Sequence, residues 1–368
     1  MKKEDAASLI VYAVMIGLAL FIGLGIIQPI FASNASVAGS QYLFAIVSVI
    51  IGVLFNALLL ELGHVIGGLL GKYRITSVNI LGFTFYKKDG KVKFAFKMFD
   101  GLTGETKFLP KSEKSNPRLA IVLPILFFLV ELIAAIIIYA LISTNYNIDL
   151  VWLSVGSIIV ASIGGMMTFY NIVPFKLDTM TDGYRMTLFS KKINIEAYNE
   201  LMLIENSGGE LSPRVFEEIT DYTAEVNLIT VYRNIKEKDF VKAEEILENI
   251  IKNETKTSSS THNRSIAQLL FLKIMNETLE EAKKHYAKIS TNIQRFISND
   301  LSMPSLRAYM LIAGLMDDSQ GEVMYCLDRK KKAIKYTPAG ISDIENTLFN
   351  EALEKIKLAH PDWKLELK

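Results

Sequence analysis

One stretch decides how this chain is interpreted: Leu58-Leu59-Leu60-Glu61-Leu62-Gly63-His64-Val65-Ile66-Gly67-Gly68, at the end of a long apolar run. It follows the pattern H-E-x-x-H from the second position onward, with Glu61 and His64 in place. In the complete pattern, two histidines at i and i+4 share one helix face and bind one Zn²⁺, while the glutamate acts on the metal-bound water. Leu60 stands where the first histidine would be, and leucine has no lone pair to donate. The stretch therefore predicts either an unusual zinc site or a site that has lost its metal.

The composition of the 368-residue chain points to a membrane protein of two domains. Half of the residues are hydrophobic, and the mean hydropathy of +0.27 is high for a soluble protein. The net charge of +1 gives no reason to expect a nucleic acid or another polyanion as a partner. Cys326 is the only cysteine, so a disulfide framework is excluded and a reducing compartment is favoured.

Four apolar segments are long enough to cross the hydrocarbon core of a bilayer, which is about 30 Å thick. The first is too long for the apolar region of a signal peptide, so we predict an uncleaved span that ends at Gln28-Pro29. Gly67-Gly68 is expected to weaken the second helix just past the motif. We predict four transmembrane helices at about residues 8-30, 42-64, 119-141 and 150-171.

A basic loop separates the second and third spans. Residues 72–118 carry eleven Lys or Arg against four acidic residues. Loops rich in Lys and Arg stay in the cytoplasm, so we place this loop, both termini and the motif on the cytoplasmic side of the plasma membrane. The chain is thus predicted to be a multi-pass protein, of a bacterial type.

The basic loop contains a predicted β-hairpin. Two segments, 78–86 and 91–97, flank Asp89-Gly90, and alternating residues around Asp-Gly are a strong hairpin signal. Lysines alternate with apolar residues along 91–97, so one face is basic and the other apolar. The hairpin is either an ordinary solvated one or one that lies on the membrane surface, with its free edge available to an extended peptide. We favour contact with the lipid bilayer, because spans lie on both sides of it.

The composition turns polar and helical from about Tyr184 to the end of the chain. Apolar residues recur at helical spacing in three segments, 224–253, 266–289 and 305–336. These segments resemble tetratricopeptide repeats, although the period is irregular. We predict a cytosolic α-helical domain, with residues 255–263 as a polar linker. Such a stack either docks a protein partner or serves only as a scaffold.

A second element follows the fourth span: Asn171-Ile172-Val173-Pro174-Phe175-Lys176-Leu177-Asp178-Thr179-Met180-Thr181-Asp182-Gly183. Together with Glu61-Leu62-Gly63-His64, it resembles the site-2 protease family of intramembrane zinc metalloproteases. In that family an Asn-x-x-Pro element leads to an Asp-Gly, and that Asp is the third zinc ligand. The resemblance covers about residues 1–186 and leaves the C-terminal half unexplained. Glu-Leu-Gly-His alone is a weak match, but its position relative to Asn-x-x-Pro and Asp-Gly is specific for the fold.

The resemblance implies roles for individual residues. Glu61 would be the general base, and His64 and Asp182 would be metal ligands, with Asp178 as the weaker candidate for the second of these. Asn171 and Pro174 are candidates for lining the substrate groove. Leu60 occupies the degenerate ligand position, where the family has a histidine. Zinc is therefore the only cofactor implied, if any is bound at all.

Simpler roles compete with these at each position. Glu61 could be paired with Lys72 or Arg74 at the end of its helix. Asp182 could be the N-cap of a helix that starts near Gly183. Glu131, in the middle of the third span, could be a protonated acid hydrogen-bonded to another helix or a functional group. The remaining histidines, none of which forms a ligand-spaced pair, are expected at the surface: His262, His285 and His360.

The sequence thus predicts a mainly α polytopic membrane protein with a site-2-protease-like domain at 1-186 and a cytosolic helical-repeat domain at 187-368. A catalytic zinc normally has three protein ligands, and with Leu60 only two remain. We therefore expect a pseudoprotease that binds or regulates a membrane peptide or protein without cleaving it. The alternative is an active intramembrane zinc metalloprotease that cuts a transmembrane or signal-peptide-like segment with an unusual third ligand. A third interpretation is a membrane anchor that displays the helical domain.

Overall fold

The computed structural model is mainly helical, with four long apolar helices and a small antiparallel sheet. It describes residues 3–33, 40–88, 90–97, 103–145, 151–176, 180–207, 214–335 and 337–365. The chain divides into two compact units, Met1–Ile195 and Glu196–Lys368. The predicted domains, 1-186 and 187-368, put the division somewhat earlier.

The first apolar segment is helical over its whole described length. Helix α1, Lys3–Ile22, passes through a π-helical turn, Gly23–Ile27, into α2, Gln28–Ser33. The predicted end of the helix at Gln28-Pro29 is therefore wrong. The proline is accommodated because the backbone before it has already departed from the i→i−4 hydrogen-bond pattern that a proline interrupts.

Three further helices are long and apolar enough to cross a membrane: α3, Ser40–Leu70, α4, Arg118–Asn145, and α5, Val151–Ile172. With the first helix, this confirms four apolar helices of sufficient length in the predicted segments. Helix α3 has 31 residues, so at 1.5 Å per residue it is about 46 Å long. It is longer than a hydrocarbon core of about 30 Å, and the Glu61–His64 motif lies in its last third.

Glycines bring α3 into close contact with α4. A Cβ at Gly63 would lie 2.7 Å from Pro124 Cα, and one at Gly67 would lie 2.5 Å from Ala120 Cα and closer still to Leu119 O. The helix continues through Gly67-Gly68 and ends at Leu70, and packing against α4 offsets the low helix propensity of glycine. The predicted weakening of the helix stays a prediction.

We expect Gly67→Ala to destabilise the protein, because a methyl group at this position overlaps the α4 backbone, which cannot move aside like a flexible side chain. Thermal unfolding in detergent should show a fall of several degrees in melting temperature. Gly17→Ala on α1 is the matched control, since a Cβ there meets nothing within 4 Å. Equal melting temperatures for the two variants would contradict the close packing of α3 on α4.

A four-stranded antiparallel sheet lies between α3 and α4 in sequence, with strand order β3-β2-β1-β4. Its strands are β1, Tyr73–Ile80, β2, Phe83–Lys88, β3, Lys91–Phe96, and β4, Gly104–Pro110. The β2–β3 hairpin confirms the Asp-Gly prediction, although Asp89 itself lies outside the described residues. The predicted first arm, 78–86, is wrong as a single strand. It is broken by a turn at Leu81 and Gly82, whose φ angles of 50° and 93° are both positive, as in a type I′ turn.

The β2–β3 hairpin carries an aromatic face. Phe83 pairs with Phe96, and Phe85 pairs with Phe94, so all four rings point to one side. Their centroids are 5.4 to 6.1 Å apart, and each ring is 46% to 69% exposed. The predicted split into an apolar and a basic face is confirmed, and contact with lipid stays a prediction.

The second unit is built from helices that begin and end close to the predicted segments. The predicted linker at 255–263 is wrong, because Ser258 accepts a hydrogen bond from Thr261 N and caps a helix that starts at once. A continuous hydrophobic core joins these helices. Whether they form tetratricopeptide-like repeats stays a prediction.

The helices after α5 are α6, Asp182–Leu188, α7, Lys192–Ser207, α8, Asp221–Lys236, α9, Phe240–Lys252, α10, Ser259–Asn276, α11, Leu279–Ala287, α12, Thr291–Asn299, α13, Met303–Leu315, α14, Gln320–Lys335, and α15, Ser342–Ala359.

Asp300 links α10 to the start of α13. Arg264 donates to both of its carboxylate oxygens, at 3.2 and 3.3 Å, and the hydroxyls of Ser302 and Ser305 donate to Oδ2. Burial by itself would raise the pKa of Asp300, but the Arg264 guanidinium and the two hydroxyls outweigh it and hold the pKa below its ordinary value.

This lowered pKa predicts an acid-dependent loss of stability. The contribution of Asp300 is complete above the unfolded-state pKa of about 3.9 and disappears as the pH falls through the lower folded-state pKa. We expect Asp300→Asn to be less stable than wild type at pH 7, with a difference that shrinks at acid pH. Denaturant unfolding of both proteins over a pH series measures this difference. A difference that stays constant down to the lowest pH would contradict the assignment.

Candidate functional site

Glu61 lies on the buried side of α3, with 2% of its surface exposed. Thr106 Oγ1 donates to its Oε2 at 2.6 Å, and Thr103 Oγ1 donates to its Oε1 at 3.4 Å. Thr106 belongs to β4, and Thr103 directly precedes that strand. The suggested pairing of Glu61 with Lys72 or Arg74 is therefore wrong. Among the residues that the structure describes, the partners of both carboxylate oxygens are threonine hydroxyls.

His64 lies one turn further along α3, where its ring is held between two groups. Its Nδ1 is 2.8 Å from Ala120 O on α4. Because a carbonyl oxygen only accepts, Nδ1–H is the donor in this contact. Nε2 faces Asp182 Oδ2 at 3.5 Å. An imidazole whose other nitrogen donates to a backbone carbonyl is the usual arrangement of a metal-ligating histidine.

Asp182 is the first residue of α6, not its N-cap. Thr181 is the N-cap and accepts a hydrogen bond from Tyr184 N, so the suggested capping role of Asp182 is wrong. Thr181 also donates to Val173 O at 2.7 Å, which ties the start of α6 to the end of α5. A Cβ at Gly183 would overlap Ile172 O. The Asp-Gly pair is thus positioned by a close approach of backbones that only glycine permits.

The structure brings three of the predicted site residues together. His64 lies next to Asp182, and Glu61 lies on the same helix as His64, one turn away. Arg185 Nη1 is 3.8 Å from Asp182 Oδ1, so a cation already neighbours this carboxylate.

The other predicted residues contribute less to this arrangement. Leu60 is half-buried on α3, one turn before His64. Asn171 is half-buried near the end of α5, and Pro174 is exposed just beyond it. Asp178 lies outside the described residues. The position of the first motif histidine is thus filled by an apolar side chain.

The described residues do not fit a catalytic zinc. Such a site normally uses three protein ligands and one water. Over the part of the chain that the structure describes, no group of three or more His, Cys, Asp or Glu side chains could hold a metal ion. His64 Nε2 and Asp182 Oδ2 are two potential ligands, and Leu60 supplies none.

An apolar pocket of ≈ 340 Å³ opens beside the Asp-Gly pair. Residues from α4, from the end of α5 and from α6 line it, and none of them is charged. The sequence did not predict this pocket, because its walls come from three segments that are distant along the chain. Its lining residues are Ile121, Ile125, Ile172, Gly183, Met186 and Thr187.

The remaining histidines belong to the second unit. His262 is buried, with 5% exposure, so its predicted surface position is wrong. His360 stacks on Trp363 at 3.9 Å, and its Nε2 is 2.7 Å from Gly314 O. His285 is largely exposed and lies 3.4 Å from Glu277.

In comparisons with known proteins, no family model, no curated protein and no solved structure matches the chain.

Proposed function

We propose that this chain is a site-2-protease-like integral membrane protein with an incomplete zinc motif, which binds a membrane peptide or protein without cleaving it. One observation carries the proposal: Glu61, His64 and Asp182 come together, while Leu60 occupies the remaining ligand position. Each residue alone has a simple structural explanation. Their meeting at the end of a long apolar helix supports a shared origin as a zinc site.

The polar partners of Glu61 favour binding over hydrolysis. A general base needs access to the water it activates, but Glu61 is buried and both of its oxygens accept hydrogen bonds from threonines. In this state the carboxylate joins α3 to β4. The residue that would be the general base in a protease therefore stabilises the scaffold here.

The pocket beside Asp182 supports an apolar occupant. Ile121, Ile125, Ile172 and Met186 supply most of its wall, and apolar side chains of a membrane peptide fit such a lining. Gly183, the neighbour of Asp182 in the chain, forms part of the wall. We propose that a segment of a membrane peptide lies there.

Photocrosslinking in membranes tests this function. A photoreactive phenylalanine analogue at Met186 should crosslink to a membrane peptide, and the same analogue at Leu153, an exposed position on α5 outside the pocket, is the control. We expect an adduct only at position 186, carrying an intact peptide, equally in wild type and in Glu61→Gln. Mass spectrometry that found peptide ends produced by wild type and absent with Glu61→Gln would contradict the proposal.

The second unit would provide a docking surface for a protein partner, and the aromatic hairpin face would contact the lipid bilayer. The excess of Lys and Arg in the loop supports a cytoplasmic position for both. Four exposed phenylalanine rings on one face and lysines on the other suit the boundary between acyl chains and anionic headgroups.

Lipid contact of the hairpin can be measured with single cysteines on opposite faces of β3, in a Cys326→Ala background. We expect a fluorophore on Phe94→Cys to show a blue-shifted emission in anionic vesicles and to resist quenching by aqueous iodide. Lys93→Cys is the matched control, because adjacent residues of a strand point to opposite faces, and its fluorophore should stay in water. Equal quenching at both positions would exclude this contact.

An active zinc protease is the second candidate, and the orientation of His64 favours it. Its Nδ1–H donates to Ala120 O, which leaves Nε2 directed at Asp182, as in a metal-ligand pair. An additional ligand would then come from outside the described residues, where Asp178 lies. Zinc released from the purified protein by His64→Ala would support this candidate.

A further inference from the structure

A polar cluster joins the middles of α3, α4 and α5, away from the motif. Asn56 is buried on α3, and its Nδ2 lies 3.0 Å from Gly52 O, 2.9 Å from Val160 O on α5 and 3.3 Å from Glu131 Oε1 on α4. The uncharged amide of Asn56 thus joins three apolar helices. The protease interpretation uses neither Asn56 nor Glu131.

The second oxygen of the Glu131 carboxyl group is buried and has no hydrogen-bond partner among the described residues. It points at Gly164 on α5. A Cβ at Gly164 would lie 2.7 Å from Glu131 Oε2 and would also overlap Asn56 Oδ1. Glu131 Oε2 and Asn56 Oδ1 therefore both face the space beside Gly164, which is open only because this residue has no side chain. The lone pairs of two such buried oxygens repel each other unless a proton or a cation lies between them.

No positive charge compensates Glu131 in the described part of the chain, where it takes part in no ion pair. Helix α5 carries no Lys, Arg, His, Asp or Glu. Besides Glu131, the Lys, Arg, His, Asp and Glu residues of α3 and α4 are Glu61 and His64, near the end of α3, and Arg118, at the start of α4. An ionised carboxylate is strongly disfavoured in apolar surroundings without a partner.

We propose that Glu131 and Asn56 form an intramembrane proton-binding site. Glu131 is a neutral carboxylic acid whose Oε2–H donates to Asn56 Oδ1, while Asn56 Nδ2 donates to Glu131 Oε1. The two hydrogen bonds form a closed acid–amide pair that satisfies the orphaned oxygen. The pair fixes α3 against α4 and α5 two turns before His64, and Gly164 is the position that makes room for it.

Infrared spectroscopy of the purified full-length protein at neutral pH tests the site. We expect the wild-type spectrum, after subtraction of Glu131→Gln, to contain the carbonyl band of one protonated carboxylic acid per chain. Glutamine can form both hydrogen bonds, so Glu131→Gln should melt close to wild type. Glu131→Leu cannot form them and should melt several degrees lower.

Three results would overturn the proposal. The first is a difference spectrum with carboxylate bands instead of the acid band. The second is a wild-type melting temperature that depends on sodium concentration and becomes independent of it in Glu131→Gln, which would assign a cation to the site. The third is a Glu131→Gln protein that is as unstable as Glu131→Leu or fails to fold. If the proposal is right, glutamine keeps both hydrogen bonds to Asn56 and the variant folds.

Discussion

Leu60→His is expected to give a protein that binds one zinc ion per chain. The new imidazole lies one turn before His64 on the same face of α3, so it restores the i, i+4 pair. Asp182 already lies 3.5 Å from His64 Nε2 and would be the third ligand. Second-shell changes alone alter zinc affinity by about 10–100-fold, so an added first-shell imidazole should have a larger effect. Metal analysis after exposure to zinc and removal of the excess measures the gain.

Leu58→His is the matched control for this prediction. It adds the same side chain to the same helix, but at an exposed position two residues earlier. We expect no stoichiometric zinc in that variant. If Leu60→His also binds none, Glu61, His64 and Asp182 do not have the spacing of a zinc site, and the resemblance to a protease would lose its main support.

Arg307→Met is expected to destabilise the second unit by about 3–5 kcal/mol, the usual effect of removing one partner of a buried ion pair. Arg307 is fully buried on α13 and donates to Glu345 and to Gln268. Its guanidinium also lies 4.5 Å from the centroid of the Phe271 ring. Burial lowers the pKa of Arg307 to about 10, so the group remains charged at neutral pH. The substitution leaves the carboxylate of Glu345 buried without its cation.

Denaturant unfolding of the full-length protein measures this effect, with Arg233→Met as the control. Arg233 is paired with Glu237 at 2.8 Å on an exposed face of α8. Such surface pairs contribute about 0–1 kcal/mol, so the control should change little. The double variant Arg307→Met/Glu345→Met should recover part of the loss, because no buried charge then remains unpaired. Similar losses in Arg307→Met and Arg233→Met would contradict the assignment.

Features that depend on neighbouring residues were predictable from the sequence. The four apolar helices follow from runs of apolar residues, and the β2–β3 hairpin follows from Asp89-Gly90 between alternating segments. The Glu61–His64 spacing places both residues on α3 whatever its surroundings. The helices of the second unit likewise follow from apolar spacing, although the N-cap at Ser258 was mistaken for part of a linker.

Features that depend on distant contacts were not predictable in this way. Thr103 and Thr106 became partners of Glu61 because β4 crosses the end of α3, and no local pattern indicates that crossing. Gly67 looked like a helix breaker because its contact with α4 is invisible in the sequence. The burial of His262 and the pocket beside Asp182 likewise result from tertiary packing.

The metal content of the wild-type protein distinguishes a site that has lost its zinc from a working protease. The protein should be purified without chelator, and zinc should be measured per chain beside His64→Ala. We expect no stoichiometric zinc in either protein, because Leu60 leaves the site with two ligands among the described residues. One zinc per chain in wild type that His64→Ala releases would contradict it and would make proteolysis the working interpretation.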